Sequence, residues 1–241
     1  MPELETKLSG NVQFVFAHGW ALEPDFFNPL ITRLGILNPI FSSRDYFHRG
    51  RLNHGRHNHR SQDDSKASHS EWVGIGHSLG FLRLARSNLA GCRALVSLNG
   101  FTDFCAETGT DRRIIRRMHR KLQREPDSVV GEFRARCGPV VFKKPDSFNL
   151  ELLSGDLMQL ADVRINNSGE PLTSVADIPV LALAAADDPV VPPALSREQF
   201  QNLEFCPGGK HLLGSMFGYW CSLHIHQFLT QKVFRNRTGS K

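Results

Sequence analysis

The segment Glu71-Trp72-Val73-Gly74-Ile75-Gly76-His77-Ser78-Leu79-Gly80 decides the fold that we expect for this chain. Residues 71–75 are mostly apolar and predict a short buried strand, and the pattern of residues 81–90 favours a helix. The motif Gly76-x-Ser78-x-Gly80 falls on the turn between them. Glycines on both sides of the serine permit a tight turn, so the sequence predicts a serine hydroxyl exposed above the end of a strand.

Strands and helices alternate on both sides of this turn. Further strands are predicted at 12–16, 39–42, 93–98, 178–184 and 203–205, and further helices at 25–34, 194–199 and 218–229. Such alternation favours an α/β fold with a mostly parallel sheet and helices on both faces. Residues 101–174 are instead charged and helical in pattern, with no evident strand. We therefore expect a core formed by residues 1–100 and 175–241, with a helical lid at 101–174 inserted between sheet strands.

The composition is that of an ordinary globular protein, with 40% hydrophobic and 22% charged residues in a chain of 241. That length is sufficient for one domain with a hydrophobic core. No apolar run is long enough to cross a membrane, and the acidic N-terminal segment is unlike a secretory signal. The five cysteines are scattered without a Cys-x-x-Cys pair, which favours free thiols. We expect a cytoplasmic protein that does not bind membranes.

The net charge of +5 favours partners that carry negative charge. The cations concentrate at 44–60 and 112–121, and neither stretch resembles a nucleic-acid-binding module, so we expect no nucleic acid as a partner. The polar stretch 44–70 is interpreted as a loop. Its histidines have irregular spacing and no matching carboxylates or cysteines: His48, His54, His57, His59 and His69. We therefore expect neither a metal site nor a cofactor.

Ser78 needs a base, because a neutral hydroxyl is a poor nucleophile. His211 is the leading candidate, since it follows the loop sequence Pro207-Gly208-Gly209 just after a short strand near the C-terminus. A histidine on a loop at a strand end can reach the same edge of the sheet as Ser78. The sequence therefore predicts a serine nucleophile with His211 as its base.

The carboxylate that orients this base should lie at the end of an earlier strand. Asp187 and Asp188 both follow the strand at 178–184. The spacing Asp188-x-x-Val191-Pro192 favours Asp188 as the acid, and Asp187 is the alternative. The resulting chain order of serine, aspartate and histidine is the order that accompanies this kind of nucleophile turn.

An oxyanion hole needs two N–H groups beside the serine. The backbone N–H of Leu79 is one candidate, because it directly follows the nucleophile. The other is the backbone N–H of Trp20, in the His18-Gly19-Trp20 loop after the first strand. The Trp20 indole would also form an apolar wall for an acyl chain.

Taken together, these motifs resemble the α/β-hydrolase superfamily across most of the chain. A closer resemblance comes from Leu98-Asn99-Gly100-Phe101-Thr102-Asp103-Phe104, a basic helix and then Glu132-Phe133. These features are similar to the pimeloyl-acyl-carrier-protein methyl ester esterases of biotin synthesis. The resemblance implies cleavage of a methyl ester on a pimeloyl chain that an acidic carrier protein delivers, with lid arginines facing that carrier. The sequence departs from the family at His77, where a tryptophan is common, and in the polar stretch 44–70.

The predicted lid helix at 111–124 carries two stripes. Ile115, Met118 and Leu122 form an apolar one, and a cationic one follows at intervals of four residues: Arg112, Arg116, Arg120 and Arg124. Arg113, Arg117 and Lys121 widen the cationic stripe. Like charges at this spacing repel, so a helix that tolerates them is evidence for an anionic partner, and a merely solvated basic face is the alternative. We predict that Arg112, Arg116, Arg117 and Arg120 contact acyl-carrier protein, and that Trp20 and Phe104 contact substrate.

These inferences predict a serine esterase that forms an acyl-enzyme on Ser78 and acts on an ester carried by acyl-carrier protein. Two alternatives remain open at this point. The chain could be a general carboxylesterase or thioesterase of short acyl groups that takes a small ester. It could also be a binding protein that kept the fold and lost catalysis, although every catalytic position is filled.

Overall fold

The computed structural model describes residues 12–42, 44–48, 71–165, 172 and 174–234. The strands are β1 (Gln13–Ala17), β2 (Ile40–Phe41), β3 (Phe47–His48), β4 (Trp72–His77), β5 (Cys92–Leu98), β6 (Ser147–Phe148), β7 (Ser174–Val175), β8 (Ile178–Ala185) and β9 (Leu203–Cys206). The α-helices are α1 (Asn28–Leu34), α2 (Leu79–Ala85), α3 (Arg112–Leu122), α4 (Pro126–Cys137), α5 (Leu150–Asp162), α6 (Pro193–Gln199), α7 (Leu213–Met216) and α8 (Gly218–Leu229). A 3-10 turn at Pro24–Phe27 precedes α1, and a π-helical turn at Thr230–Phe234 follows α8.

Seven of the described strands form one sheet in the order β2-β1-β4-β5-β8, with β9 and β7 both paired to the outer edge of β8. Every pairing is parallel except that of β7 with β8. The carboxyl ends of the parallel strands therefore meet at one edge, where ligands bind in sheets of this kind. The predicted α/β fold with a mostly parallel sheet is confirmed.

Both faces of the sheet are covered by helices. Phe16 and Ile75 point to one face and pack with Leu30 of α1 and Ile225 of α8 in a single apolar cluster. On the other face, Leu95 and Ala182 pack with side chains of α2, among them Phe81 and Leu84. Buried residues alternate along the strands in this way because successive side chains of a strand point to opposite faces.

Helices α3, α4 and α5 lie between β5 and β8 in the sequence, where the lid is predicted. Their apolar side chains, among them Ile115, Leu122 and Leu153, form a third cluster with Trp20 and Leu79. These helices therefore cover the carboxyl ends of the strands. The segment also contains β6, which pairs antiparallel with β3 and which the sequence did not reveal. Ser174, the last residue of the predicted lid, begins β7 and thus belongs to the sheet.

A buried arginine fastens α4 to the loop after β1. Arg134 donates from Nε to the carbonyl oxygen of Ala21 at 2.9 Å, and its Nη2 lies 3.0 Å from a carboxylate oxygen of Glu23. Its guanidinium also stacks 4.3 Å from the ring centroid of Phe47 and 4.5 Å from that of Phe142. A planar cation suits such a site, because it can form hydrogen bonds at its edge while its faces contact aromatic rings.

The predicted helix at 81–90 is shorter in the structure and shifted towards the serine. Helix α2 begins at Leu79 and ends at Ala85. The hydroxyl of Ser87 donates to the carbonyl oxygen of Leu84, an acceptor that a continuing helix would use for its own backbone, which helps to end the helix there. No helix among the described residues is long and apolar enough to span a lipid bilayer.

Candidate active site

Ser78 lies on the sharp turn between β4 and α2, with φ 52° and ψ −125°. Few residues other than glycine adopt this backbone conformation, and its strain is typical of a functional position. The two flanking glycines make the turn possible. A Cβ atom on Gly76 would lie 2.4 Å from Cα of Phe81, and one on Gly80 would lie 2.0 Å from the carbonyl oxygen of Ala17.

His211 and Asp188 form a buried pair at the same edge of the sheet. Nδ1 of His211 lies 2.8 Å from Oδ2 of Asp188, and the two side chains are 0% and 1% exposed. The other carboxylate oxygen accepts the backbone N–H groups of Val190, at 2.7 Å, and Val191, at 3.0 Å. Asp187 is exposed. Of the two candidate acids, the structure therefore joins Asp188 to the histidine.

The pair leaves one nitrogen of His211 available for proton transfer. In the neutral ring, Nδ1–H donates to the carboxylate and Nε2 carries the lone pair. This nitrogen is buried and has no hydrogen-bond partner among the described residues, so the structure forms no bond between it and Ser78. Such a bond is often long or badly aligned in an enzyme without substrate and tightens when substrate binds.

Two side chains that the sequence analysis did not identify as site residues hold the backbone of His211. The Nε2–H of His77 and the side-chain amide of Asn99 each donate to the carbonyl oxygen of His211, both at 2.8 Å. The imidazole rings of His77 and His211 also lie in contact, with centroids 4.6 Å apart. Burial, together with the nearby His211, holds the pKa of His77 well below its usual range, so its ring is neutral. The position of His77 inside the Gly-x-Ser-x-Gly motif could have indicated this role.

The loop after β1 lies directly against the serine. A Cβ atom on Gly19 would lie 2.9 Å from Cβ of Ser78, so only glycine fits there without movement. The backbone N–H of Trp20 has no hydrogen-bond acceptor within the part of the chain that the structure describes. Leu79 is the first residue of α2, and the first N–H groups of a helix have no acceptor within the helix. Both predicted donors thus belong to segments that lie against the Ser78 turn, and neither N–H has a backbone acceptor among the described residues.

The site is closed to solvent. Ser78 is 5% exposed, Trp20 1% and His211 0%. The ring of Phe133 lies 4.9 Å from the ring of Trp20 and 6.3 Å from that of His211, measured between centroids. The Trp20 indole N–H donates to the carbonyl oxygen of Leu153 in α5, at 2.8 Å. Helices α4 and α5 therefore supply the apolar cover above the serine.

Phe104, which was predicted to contact substrate, lies within this apolar cover. It is 5% exposed, and its ring packs 4.8 Å from that of Phe101, in the same cluster as Trp20. At that burial Phe104 presents almost no surface to a carrier protein, and its contact with substrate stays a prediction.

The four arginines predicted to contact a carrier differ in their surroundings. Arg112 donates from Nε to the carbonyl oxygen of Ala161 at 2.8 Å and lies 3.8 Å from Asp103, so it fastens α3 to the rest of the molecule. Arg116, Arg117 and Arg120 are exposed, and none forms an ion pair with a described residue.

Other predicted features are only partly visible. Of the five histidines predicted to lie in a polar loop, only His48 is described, as the second residue of β3. His54, His57, His59 and His69 lie outside the described residues. Within the described ranges, no group of three or more histidine, cysteine, aspartate or glutamate side chains could hold a metal ion.

Comparison with known proteins identifies the fold. No protein-family model matches the sequence, and no curated protein is similar to it by sequence. Solved structures do match it in three dimensions. A hydrolase from Pseudomonas aeruginosa PA01 matches with a TM-score of 0.66 at 14% identity, over 92% of this chain and 91% of that one.

Two esterases are similar to the same extent. An esterase from Exiguobacterium antarcticum matches with a TM-score of 0.65 at 12% identity, over 92% of both chains. A thermophilic esterase from Thermogutta terrifontis matches with a TM-score of 0.63 at 16% identity, over 91% of this chain and 90% of that one. The chain therefore has the α/β-hydrolase fold along nearly its whole length. Its chemistry must be argued from the site, because one fold can host many activities.

Proposed function

We propose that the chain is a serine esterase that hydrolyses a carboxylic ester through an acyl-enzyme. One observation carries the proposal: the buried pair of Asp188 and His211 lies at the strand edge where Ser78 occupies a strained turn. Packing of the sheet does not require a serine with a strained backbone, or a buried imidazole whose Nε2 lacks a hydrogen-bond partner among the described residues. A hydrolase with a nucleophile, a base and an orienting acid requires all three.

The reaction proceeds in two steps. Nε2 of His211 takes the hydroxyl proton of Ser78 as the oxygen attacks the ester carbonyl, and then gives that proton to the departing alcohol. Water next attacks the acyl-enzyme with His211 again as base, which releases the acid and restores Ser78. Asp188 keeps the proton on Nδ1 and stabilises the imidazolium that forms. The N–H groups of Trp20 and Leu79 hold the oxyanion in both steps.

A fluorophosphonate probe tests the nucleophile, because an activated serine displaces its fluoride and becomes phosphonylated. We expect the wild type to be labelled on Ser78 and to hydrolyse p-nitrophenyl butyrate. Ser78→Ala should abolish labelling and lower kcat by roughly 10⁵- to 10⁶-fold. The matched control is Ser222→Ala, which removes another buried serine in α8 and should change neither result. A wild type that is folded but neither labelled nor active would indicate a binding protein that kept the fold.

We further propose that the natural substrate is the methyl ester of pimeloyl-acyl-carrier protein, a step of biotin synthesis. Two features support this choice: the resemblance in 98–104 and 132–133, and the uncompensated charge on α3. Arg116, Arg117 and Arg120 are exposed without an ion-pair partner among the described residues, next to helices that cover the serine. An acidic carrier protein would satisfy them. The five cysteines are free thiols, which agrees with the cytoplasmic site of such a reaction.

Kinetics with two substrates separate this proposal from a general esterase or thioesterase of short acyl groups. Changing Arg116, Arg117 and Arg120 together to Gln should raise KM for the carrier-bound ester and leave KM for p-nitrophenyl butyrate unchanged. A control should remove the same charge from three cations elsewhere: Arg86, Arg93 and Arg197. Equal effects on both substrates would argue against carrier docking and favour the general esterase.

Complementation tests the substrate in a cell. A strain that lacks its pimeloyl-acyl-carrier-protein methyl ester esterase should grow on biotin-free medium when it expresses the wild type. Expression of Ser78→Ala should not restore growth. Failure of the wild type, in a cell where it is expressed and active on a small ester, would reject this substrate while leaving the esterase proposal intact.

A further inference from the structure

The side chain of His18 lies between two backbone groups and contacts both. Its Nε2 accepts the backbone N–H of Arg44 at 3.1 Å, and its Nδ1 lies 2.9 Å from the carbonyl oxygen of Gly19. A nitrogen that accepts carries no proton, and a carbonyl oxygen can only accept. Both contacts therefore require the neutral ring with its proton on Nδ1. Burial and the charges of Arg83 and Arg44 lower the pKa of His18 to about 3, which keeps the ring neutral.

The bond from His18 fixes the direction of a second group as well. The carbonyl of Gly19 and the N–H of Trp20 belong to one peptide unit, which is planar with the two groups pointing in opposite directions. Whatever holds the Gly19 carbonyl therefore holds the Trp20 N–H. That N–H is the proposed oxyanion donor from the loop after β1. The imidazole thus holds the peptide unit whose N–H is the proposed oxyanion donor.

The preceding peptide unit is held by Arg83 of α2. The Nη2 group of Arg83 donates to the carbonyl oxygen of His18, and Nη1 donates to Oδ2 of Asp156 at 3.1 Å. Nη1 also donates to the hydroxyl of Tyr46 at 3.1 Å, and that hydroxyl donates to the same carboxylate oxygen at 2.6 Å. The guanidinium cannot turn without breaking several of these bonds. The peptide unit that contains the Trp20 N–H and the peptide unit before it are therefore both held by side chains.

We infer that His18 and Arg83 are positioning residues that set the direction of the oxyanion-hole N–H of Trp20. The inference rests on the proposed esterase function. Each side chain holds the carbonyl side of a peptide unit and acts on the reaction only through that unit. Hydrogen-bond donors of an oxyanion hole act through preorganisation, because they must point to the place where negative charge develops. A loop that turned even slightly would lose that interaction and keep the binding of the ground-state ester.

Three substitutions of His18 separate positioning from packing. The side-chain amide nitrogen of Asn comes close to the place of Nδ1, whereas that of Gln comes close to the place of Nε2. Phe keeps a ring near Tyr46, whose ring centroid is 5.6 Å from that of His18, and removes both polar atoms. His18→Phe should lower kcat for p-nitrophenyl butyrate by about 10²-fold, the loss typical of one oxyanion donor, with KM nearly unchanged. His18→Asn should recover at least about tenfold of that loss, and His18→Gln should recover none.

Inhibition by a trifluoromethyl ketone provides the second measurement, because its adduct with Ser78 carries the oxyanion. The inhibition constant should rise across the three variants in proportion to the loss of kcat/KM, while KM for the ester stays constant. Thermal unfolding of each variant accompanies the kinetics. If His18→Phe does not fold, the comparison of Asn with Gln still decides the question. Equal kcat for those two, or a higher kcat for Gln, would overturn the inference.

These outcomes can be distinguished from a failure of the proposed function. If the wild type has no activity that Ser78→Ala abolishes, the esterase proposal fails before His18 is considered. If that activity exists and His18→Phe keeps the wild-type kcat, the esterase proposal stands and the positioning role is wrong. A structural role would instead lower kcat and the unfolding temperature and raise KM together, with the same kcat for His18→Asn and His18→Gln. That result would also reject positioning.

Discussion

The turn at Ser78 shows how single residues decide the geometry of the site. Its serine adopts φ 52°, and the structure tolerates this strain because the neighbours at 76 and 80 have no side chain. Gly80 lies with its Cα against the backbone of Ala17 at the end of β1. This close approach brings the loop after β1, and with it the proposed oxyanion donor, next to the serine. Packing of backbone against backbone, rather than side-chain contact, therefore brings the two parts of the site together.

Two glycine substitutions test the importance of this close approach, because they should change the free energy of unfolding in opposite directions. Gly80→Ala should lower the free energy of unfolding by about 3 kcal/mol or more, because backbone atoms only 2.0 Å from the new Cβ cannot move aside as a side chain would. Gly131→Ala, in α4, should raise it by about 0.5–1 kcal/mol, since nothing lies within 4 Å of its Cβ and alanine restricts the unfolded chain. Urea denaturation measures both. Similar destabilisation by the two variants would show that the close contact at Gly80 is not what matters.

The sequence predicted the proposed catalytic residues more readily than the residues proposed to support them. Ser78, Asp188 and His211 each follow a strand, so their convergence at one edge follows from the alternation of strands and helices. His18, His77 and Arg83 could not be assigned roles in this way. The partners of His77 and Arg83 are backbone atoms 134 and 65 positions away in the chain. Only the folded structure shows which carbonyl oxygen each side chain reaches.

At the scale of elements, segments with a clear apolar pattern were predicted, the two-residue strand β2 among them, whereas three other two-residue strands were not. Strands β4, β5 and β8 and helices α3 and α8 lie where the apolar pattern placed them. The strands β3, β6 and β7 have two residues each, which is too short for any alternation to be recognised. The strand β7 pairs with the start of β8 only a few residues later, whereas β3 and β6 each depend on a partner strand from a distant part of the chain. The pairing of β3 with β6 connects residues about a hundred positions apart, so no local signal exists.

Helix α3 shows why a pattern of charge is harder to interpret than a pattern of apolar residues. Ile115 and Leu122 of its apolar stripe are buried, as the period predicts. Its cations, which look alike in the sequence, have different environments. Arg113 pairs with Asp111 at the start of the helix, and Lys121 pairs with Glu132 of α4. Among the predicted carrier contacts, those without an ion-pair partner in the described residues are therefore fewer than the sequence suggested: Arg116, Arg117 and Arg120.

Over the whole molecule, the helices that cover the site are joined to the core by polar contacts as well as by the apolar cluster. Asp156 of α5 is 2% exposed and lies 3.1 Å from Arg83 of α2, which is 11% exposed. Through Arg83 this carboxylate reaches the carbonyl oxygen of His18 in the loop after β1. One buried network thus links the cover, the core and the proposed oxyanion hole. Its contribution to stability and its contribution to catalysis can be separated, because charges in a buried network can be replaced by apolar groups of similar size.

Asp156→Leu alone should lower the free energy of unfolding by about 3–5 kcal/mol, because it leaves the guanidinium of Arg83 buried without its anion. Asp162→Leu, an exposed position at the end of the same helix, is the control and should change it by no more than about 0.5 kcal/mol. Combining Tyr46→Phe, Arg83→Met and Asp156→Leu removes Arg83 together with both side chains to which its Nη1 donates, and leaves Gln159 and the partly exposed Arg44 in place. Most of the lost stability should return.

The triple variant should not recover its catalytic activity along with its stability. In the triple variant the carbonyl oxygen of His18 has lost the guanidinium that held it, so kcat for p-nitrophenyl butyrate should stay low while KM stays near the wild-type value. Urea denaturation and steady-state kinetics on the same preparations compare the two quantities directly. If stability and kcat recovered together, Arg83 would serve only to neutralise Asp156. If stability recovers and kcat does not, apolar side chains can replace the network in stabilising the fold. The function of the polar network is then to set the direction of the Trp20 N–H group.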